Sequence, residues 1–129
     1  MSRPRAFAAI INENNILMTK HVYPDGEFWT LPGGGLEADE TFEDAVVREV
    51  KEEVNLDVEV VDYLFTGQYS GGEEQCFLVR QMNHQEPILG CDPEYGESQT
   101  LSEVRWHSLE PMKDDLHVSK VLEALKIVV

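Results

Sequence analysis

The sequence predicts one α/β domain of mostly antiparallel strands with two helices, and three observations predict it. Short runs rich in β-branched and alternating apolar residues come in pairs separated by turn residues. A strongly amphipathic run over residues 41–54 carries capping residues at both ends. A second apolar run with helical spacing, over residues 115–127, closes the chain.

Residues 5–11 are small or β-branched and predict a strand. Glu13-Asn14-Asn15 is a turn signal, and residues 16–22 return as the second strand of a hairpin. After the loop Tyr23-Pro24-Asp25-Gly26, a short apolar piece at 28–31 leads into Pro32-Gly33-Gly34-Gly35, expected to be a Gly-rich loop. The 41–54 helix has Asp39 or Thr41 as its cap, acids at Glu40, Glu43 and Asp44 near the positive end of its dipole, and Asn55 as a left-handed stop. Residues 57–68 predict a strand whose apolar side chains are Val58, Val60, Tyr63 and Phe65, turning at Ser70-Gly71-Gly72-Glu73 into a partner at 75–82. Residues 83–101 form a long segment rich in Pro, Gly and acid, and a loop of that length in a small domain is usually functional. A last strand at 104–108 precedes the closing helix, with Leu116, Val121, Leu122, Leu125 and Ile127 as expected core contacts.

The chain has 129 residues, enough to bury a core without staples, and is 42% hydrophobic and 27% charged, as in ordinary soluble domains. No apolar run is long enough to cross a bilayer, and the stretch after Met1-Ser2-Arg3-Pro4-Arg5 is short for a signal-peptide core. Cys76 and Cys91 lack metal or redox spacing and fit thiols in a reducing cytoplasm. A formal charge of −15 argues against nucleic-acid polymers and anionic membranes as partners. It would repel a phosphate-bearing small molecule too, unless cations screened the encounter.

A Glu-rich helix is ordinarily a solvated face. A wheel at about 100° per residue, with Phe42 as zero, tests that reading. Ala45, Val46 and Val50 fall near −60°, +40° and +80° and define a buried stripe with Phe42. Glu49 and Glu53 fall at about −20° and +20°, in the middle of that stripe, and Glu52 at about −80° on its border. Glu43, Asp44 and Lys51 occupy the opposite face. Inward carboxylates are costly unless neutralised, and Glu49 repels both Glu52 and Glu53 one turn away. Arg48 has Asp44 one turn before it and cannot balance all of these acids. Raised pKa values or bound cations remain. Hard-oxygen ligands of this kind suit Mg²⁺ or Mn²⁺, and a Gly-rich turn beside them lets a backbone approach phosphate or metal closely.

The segment Gly34-Gly35-Leu36-Glu37-Ala38-Asp39-Glu40 through Arg48-Glu49-Val50-Lys51-Glu52-Glu53-Val54-Asn55-Leu56 resembles the Nudix box of MutT-like pyrophosphohydrolases. Trp29-Thr30-Leu31-Pro32-Gly33 resembles its usual lead-in. The family usually has Gly where Asn55 stands; Asn is the next best residue for a left-handed stop. The resemblance implies an α/β/α sandwich around a mixed, largely antiparallel sheet. It also implies Mg²⁺- or Mn²⁺-dependent hydrolysis of a nucleoside diphosphate linked to another moiety. Carried over by position, Glu49, Glu52, Glu53 and the Gly33 carbonyl would be metal ligands, and Glu40 and Arg48 would orient the ligand carboxylates. The general base would be Glu53 or an acid of the long loop, Glu97 first, then Glu94 and Glu103.

For the rest of a nucleotide, Gly34 and Gly35 would cradle phosphate and Arg5 would pair with phosphate or ribose, with Lys20 and Arg80 as further cations. Tyr69 and Tyr95 are better placed for a base than Trp29 and Phe77, which read as core; Phe28 is also available. The histidines have no metal-ligand spacing and receive no role. Short chains of this kind resemble members directed at (d)NTPs, and the added signatures of the ADP-ribose and NADH branches are absent. ADP-ribose or NDP-sugar hydrolysis is the alternative substrate reading. The alternative of another class is a catalytically silent Nudix-like regulatory domain, which retention of the box acids opposes. A homodimer is compatible with the resemblance.

Overall fold

Strand β1 (Arg5–Asn12) is buried on both faces from Ala6 to Ile10, which explains why its sequence is continuously apolar instead of alternating. In the computed structural model, which describes residues 3–90 and 100–129, the remaining strands assemble around it. They are β2 (Asn15–Tyr23), β3 (Gly26–Thr30), β4 (Gly33–Gly35), β5 (Val58–Tyr69), β6 (Gly72–Gln81) and β7 (Leu101–Ser108). The main path runs β3-β2-β1-β6-β5, with β4 joined to β1 and β7 joined to β2. Pairing of β1 with β6 is parallel, whereas the other pairings among the described residues are antiparallel. The sheet is therefore mixed and largely antiparallel, as expected.

The two faces of β1 feed two cores. Ala6, Ala8 and Ile10 point to one side, where Ala45, Val46, Val50 and Val54 of helix α1 (Phe42–Val54) cover them. Phe7 and Ala9 point to the other, under Val118, Val121 and Leu122 of the closing helix α3 (Leu116–Leu125). Each fully buried Val or Leu of these layers stabilises the fold by about 1.5–3 kcal/mol. Helices on opposite faces of a sheet make the expected α/β/α sandwich.

Local chemistry sets the helix ends. The Thr41 side chain accepts from the Asp44 N–H at 3.0 Å, and Asn55 takes the left-handed conformation with φ 58° while its N–H donates to Lys51. Asp115 caps α3 by accepting from the N–H groups of His117 and Val118. No helix among the described residues is long and apolar enough to cross a membrane. Cys76 is a buried thiol whose pKa burial pushes up to about 12, so it is inert.

The structure departs from the sequence reading at several points. The expected Gly-rich loop at 33–35 is β4, which pairs with Arg5, Ala6 and Phe7. A one-turn helix α2 (Leu109–Met112), anchored by buried Leu109, precedes α3. Register shifts between Val60 and Asp62 and between Tyr63 and Phe65 break the alternation of β5. Val60 consequently packs on the α1 side and Phe65 on the α3 side, while Tyr63 is exposed. Leu116, expected in the core, opens α3 and is 67% exposed.

Candidate active site

The second half of α1 does what the wheel requires. Glu49 and Glu53 are 0% and 1% exposed, whereas Glu43, Asp44 and Lys51 face outward. Such carboxylates need partners, and the structure supplies them from two sources. One is Arg48. Its Nε and Nη2 donate to the two oxygens of Glu40 at 2.7 and 2.9 Å, a two-pronged bond, and Nη1 donates to Glu49 Oε1 at 3.0 Å and Glu52 Oε1 at 2.7 Å. Nη2 also donates to the Gly35 carbonyl at 2.9 Å. Among the described residues, the ion pairs of Arg48 are thus with Glu37, Glu40, Glu49 and Glu52, not with Asp44 as the helix spacing suggested. The hydrogen bond to Arg48 holds the Glu40 carboxyl below its usual range, and the bond to Glu40 raises the Arg48 pKa further.

The other source is β4. The Gly33 N–H donates to Glu53 Oε1 at 3.0 Å. Gly34 lies so close to Glu49 that a Cβ there would sit 2.8 Å from the carboxylate carbon. A side chain at 34 would therefore push the Glu49 carboxylate from its place. The glycine strand works as a lid of bare backbone over two buried acids. Among the described residues, no three His, Cys, Asp or Glu side chains already enclose a metal position. One oxygen of Glu49 and one of Glu52 instead turn to Arg48 Nη1, which supplies positive charge between them.

Glu53 and Gly33, Gly34 and Gly35 line a cleft of about 320 Å³. Its far wall is aromatic. His21 and Phe28 face each other across the β2–β3 register, with rings 5.7 Å apart at 18°, and Tyr23 stacks on Phe28 at 5.5 Å and 9°. Phe28 is 48% exposed and Tyr23 38%. These near-parallel rings form a flat, accessible shelf in the same cleft as a buried carboxylate. A larger hollow of about 420 Å³, lined by Ile10, Val79, Met82 and Trp106, includes none of these acids. Chemistry therefore favours the smaller cleft.

Of the residues singled out from sequence, the fold brings together Glu40, Arg48, Glu49, Glu52, Glu53, Gly33, Gly34, Gly35 and Arg5. Tyr69 lies behind Arg5, with its ring centre 3.4 Å from the guanidinium carbon and its hydroxyl donating to the Arg3 carbonyl. Glu103 pairs with Lys20 and Arg105 on β2 and β7, and Arg80 pairs with Glu59 on the exposed surface. Phe77 is core, as expected, and Trp29 is partly buried against the α3-side core. Glu94, Tyr95 and Glu97 lie outside the described residues. The sequence reading missed His21, Tyr23, Phe28 as a shelf, and the pair Glu74 and His117. Alternation along 21, 23 and 28 is the signal that could have found the shelf; nothing local joins 74 to 117.

Comparison with known proteins agrees with this geometry. The NUDIX domain model matches residues 1–125. The NAD-capped RNA hydrolase NudC of Vibrio atlanticus is 31% identical over 95% of this chain and 45% of its own length. The chain thus spans about half the length of that curated relative. An ADP-ribose pyrophosphatase from Streptococcus suis superposes with a TM-score of 0.71 at 24% identity, covering 98% of this chain and 91% of the other. A MutT NUDIX hydrolase from Burkholderia pseudomallei gives 0.70 at 24% identity over 100% and 99%. Acid helix, glycine strand, sandwich and sequence match converge on one conclusion: the chain belongs to the NUDIX family of hydrolases.

Proposed function

We propose that the chain is a metal-dependent pyrophosphohydrolase that cleaves a diphosphate bond in a small nucleotide, such as a (d)NTP. The observation that carries this reading is the placement of Glu49 and Glu53, buried one turn apart against bare glycine backbone, in or beneath a cleft that also holds an aromatic shelf. The donor set suits Mg²⁺ or Mn²⁺. Its side-chain ligands are carboxylates, they outnumber the single Arg48 beside them, and such hard oxygens prefer these ions. Glu49, Glu52 and Glu53 would hold the ion, with a Gly33 backbone contribution. Bound there, it would screen the phosphate charges and acidify the attacking water.

The chain's own residues do the rest. Arg48, fixed by its two-pronged bond to Glu40, orients the carboxylates of Glu49 and Glu52. Glu53, which lines the cleft, takes the proton of the attacking water on a carboxylate oxygen. Bare backbone at Gly34 and Gly35 lets phosphate approach without steric cost. The shelf of His21, Tyr23 and Phe28 stacks the base.

The test is a panel of dNTPs, ADP-ribose, NDP-sugars and, because the Vibrio relative is named for it, an NAD-capped oligoribonucleotide. Each is incubated with Mg²⁺ or Mn²⁺ while release of phosphate, pyrophosphate or mononucleotide is followed. Glu53→Gln is expected to lower kcat by about two or more orders of magnitude. It should leave the fold intact, because it removes one of two repelling buried charges. Wild-type turnover by that variant would remove Glu53 from the mechanism, and no turnover of any substrate would favour the silent regulatory reading.

A further inference from the structure

Glu53 is the last residue but one of α1, in the turn where a helix runs out of hydrogen-bond partners and its end frays. A carboxylate that must meet a reacting group accurately is poorly served by that position unless something outside the helix holds the turn. The side chain is held by β4, through the Gly33 N–H on Oε1 at 3.0 Å. The main chain is held from elsewhere, by residues 82–90, which run as a strap from the end of β6 to the end of α1. There the Gly90 N–H donates to the Glu53 carbonyl at 2.7 Å, and the Ile88 N–H to the Val54 carbonyl at 3.0 Å.

Packing does not account for the place of this strap. None of its side chains is buried, and Ile88 and Leu89 are 65% and 39% exposed. Directed contacts hold it instead. Gln81 Nε2 donates to the Gln85 carbonyl at 2.8 Å and ties the first half back to β6. Asn55 Nδ2 donates to the Ile88 carbonyl at 2.7 Å and ties the second half to the helix end. Ile88 is thus gripped through both of its backbone groups, its N–H by Val54 and its carbonyl by Asn55.

The role of Asn55 as a helix stop does not explain that grip. Its φ of 58° and ψ of 34° are left-handed, and its backbone N–H donates to the Lys51 carbonyl. Such a stop asks nothing of the side chain, and glycine adopts it at the least cost. What glycine lacks is the amide that reaches Ile88, 33 residues further along the chain. We propose that Asn55 is a positioning residue: its carboxamide fixes Ile88, and through Gly90 it fixes the main chain of Glu53 and so the place of the Glu53 carboxylate in the cleft. The proposal rests on the hydrolase reading above and adds to it the side chain that keeps the fraying turn in register with β4. Asn55 acts through the strap and touches no substrate.

Two substitutions separate the stop from the grip. Asn55→Gly eases the left-handed turn and removes the amide, whereas Asn55→Asp keeps the size and the tolerance for that turn but cannot donate when ionised. Both are expected to lower kcat about tenfold with KM changed less than about twofold, because the glycine strand and the aromatic shelf are untouched. The Tm of Asn55→Gly should stay within about 2 °C of wild type, the easier turn offsetting the lost bond. Amide hydrogen exchange read by NMR should quicken about tenfold at Ile88 and Gly90 in both variants and stay unchanged at Val50, in the middle of α1. Wild-type kcat in Asn55→Gly would overturn the proposal, whatever the exchange shows. So would unchanged exchange at Ile88 and Gly90, or an equal quickening at Val50, which marks a general loosening of the fold. A wild-type chain that hydrolyses no substrate would remove the catalytic reading; quickening confined to Ile88 and Gly90 would then leave the hold of Asn55 on Glu53 standing.

Discussion

His107 shows how one side chain writes a pH dependence into this fold. It sits on β7 with its ring edge-on to Trp29, 4.4 Å between centroids, and its Nε2 is buried with no hydrogen-bond partner among the described residues. Burial first, and then the nearby Arg105 charge, lower its pKa from 6.5. A histidine whose folded pKa lies below its unfolded value binds fewer protons when folded, so stability is complete above 6.5 and falls as pH drops below it. Glu40 and Glu74, whose carboxyls are held low, keep their contribution above 4.5 and lose it only as pH falls through their folded values. A comparison of Tm at pH 7 and pH 5 therefore isolates the histidine range from those two acids. The wild-type chain is expected to lose more Tm between these pH values than His107→Phe, which keeps a ring against Trp29. Identical losses in both proteins would show that His107 carries none of the dependence.

At the scale of elements, the C-terminal end of α1 is held by a strap rather than by its cap alone. The Ile88 N–H donates to the Val54 carbonyl at 3.0 Å, the Gly90 N–H to the Glu53 carbonyl at 2.7 Å, and Asn55 Nδ2 to the Ile88 carbonyl at 2.7 Å. These bonds satisfy carbonyls that a helix end otherwise leaves to water. Gly90 has to be bare, because a Cβ there would stand 1.9 Å from the Glu52 carbonyl oxygen. Gly90→Ala must move either the strap or the turn that carries Glu52 and Glu53. Because small misplacements of catalytic groups are expensive, kcat is expected to fall about tenfold or more. Steady-state kinetics beside a thermal melt checks this; wild-type kcat in a folded variant would show that the strap does not position the acids. The same element shows what was legible in the sequence. Thr41, Asn55 and the inward turn of Glu49 and Glu53 depend on periodicity and end chemistry within α1, so they could be read before the fold was known. The strap at 83–90, the conversion of 33–35 into a strand, the bulges that turn Tyr63 outward and the Glu74–His117 contact depend on segments remote in the chain. No local pattern encodes them, because register is decided by pairing partners.

For the molecule as a whole, the formal charge of −15 separates two responses to salt that a single melt would confuse. Self-repulsion opposes the compact state, and its range shrinks from about 30 Å at 0.01 M ionic strength to about 8 Å at 0.15 M. Added NaCl is therefore expected to raise Tm gradually by screening the entire surface. A divalent ion held by Glu49, Glu52 and Glu53 acts differently, since it binds the folded chain and stabilises it by about 2.7 kcal/mol at one hundred times its Kd. That corresponds to a rise on the order of 10 °C for a domain of this size. In MgCl₂ matched in ionic strength to NaCl, the wild-type chain should melt well above its NaCl value. Glu53→Gln should retain the gradual NaCl response and lose most of the excess in MgCl₂, because the general screening does not pass through that carboxylate. Superimposable MgCl₂ and NaCl curves for the wild type would mean that these acids hold no ion. Their burial would then have to be explained by Arg48 and the glycine backbone alone.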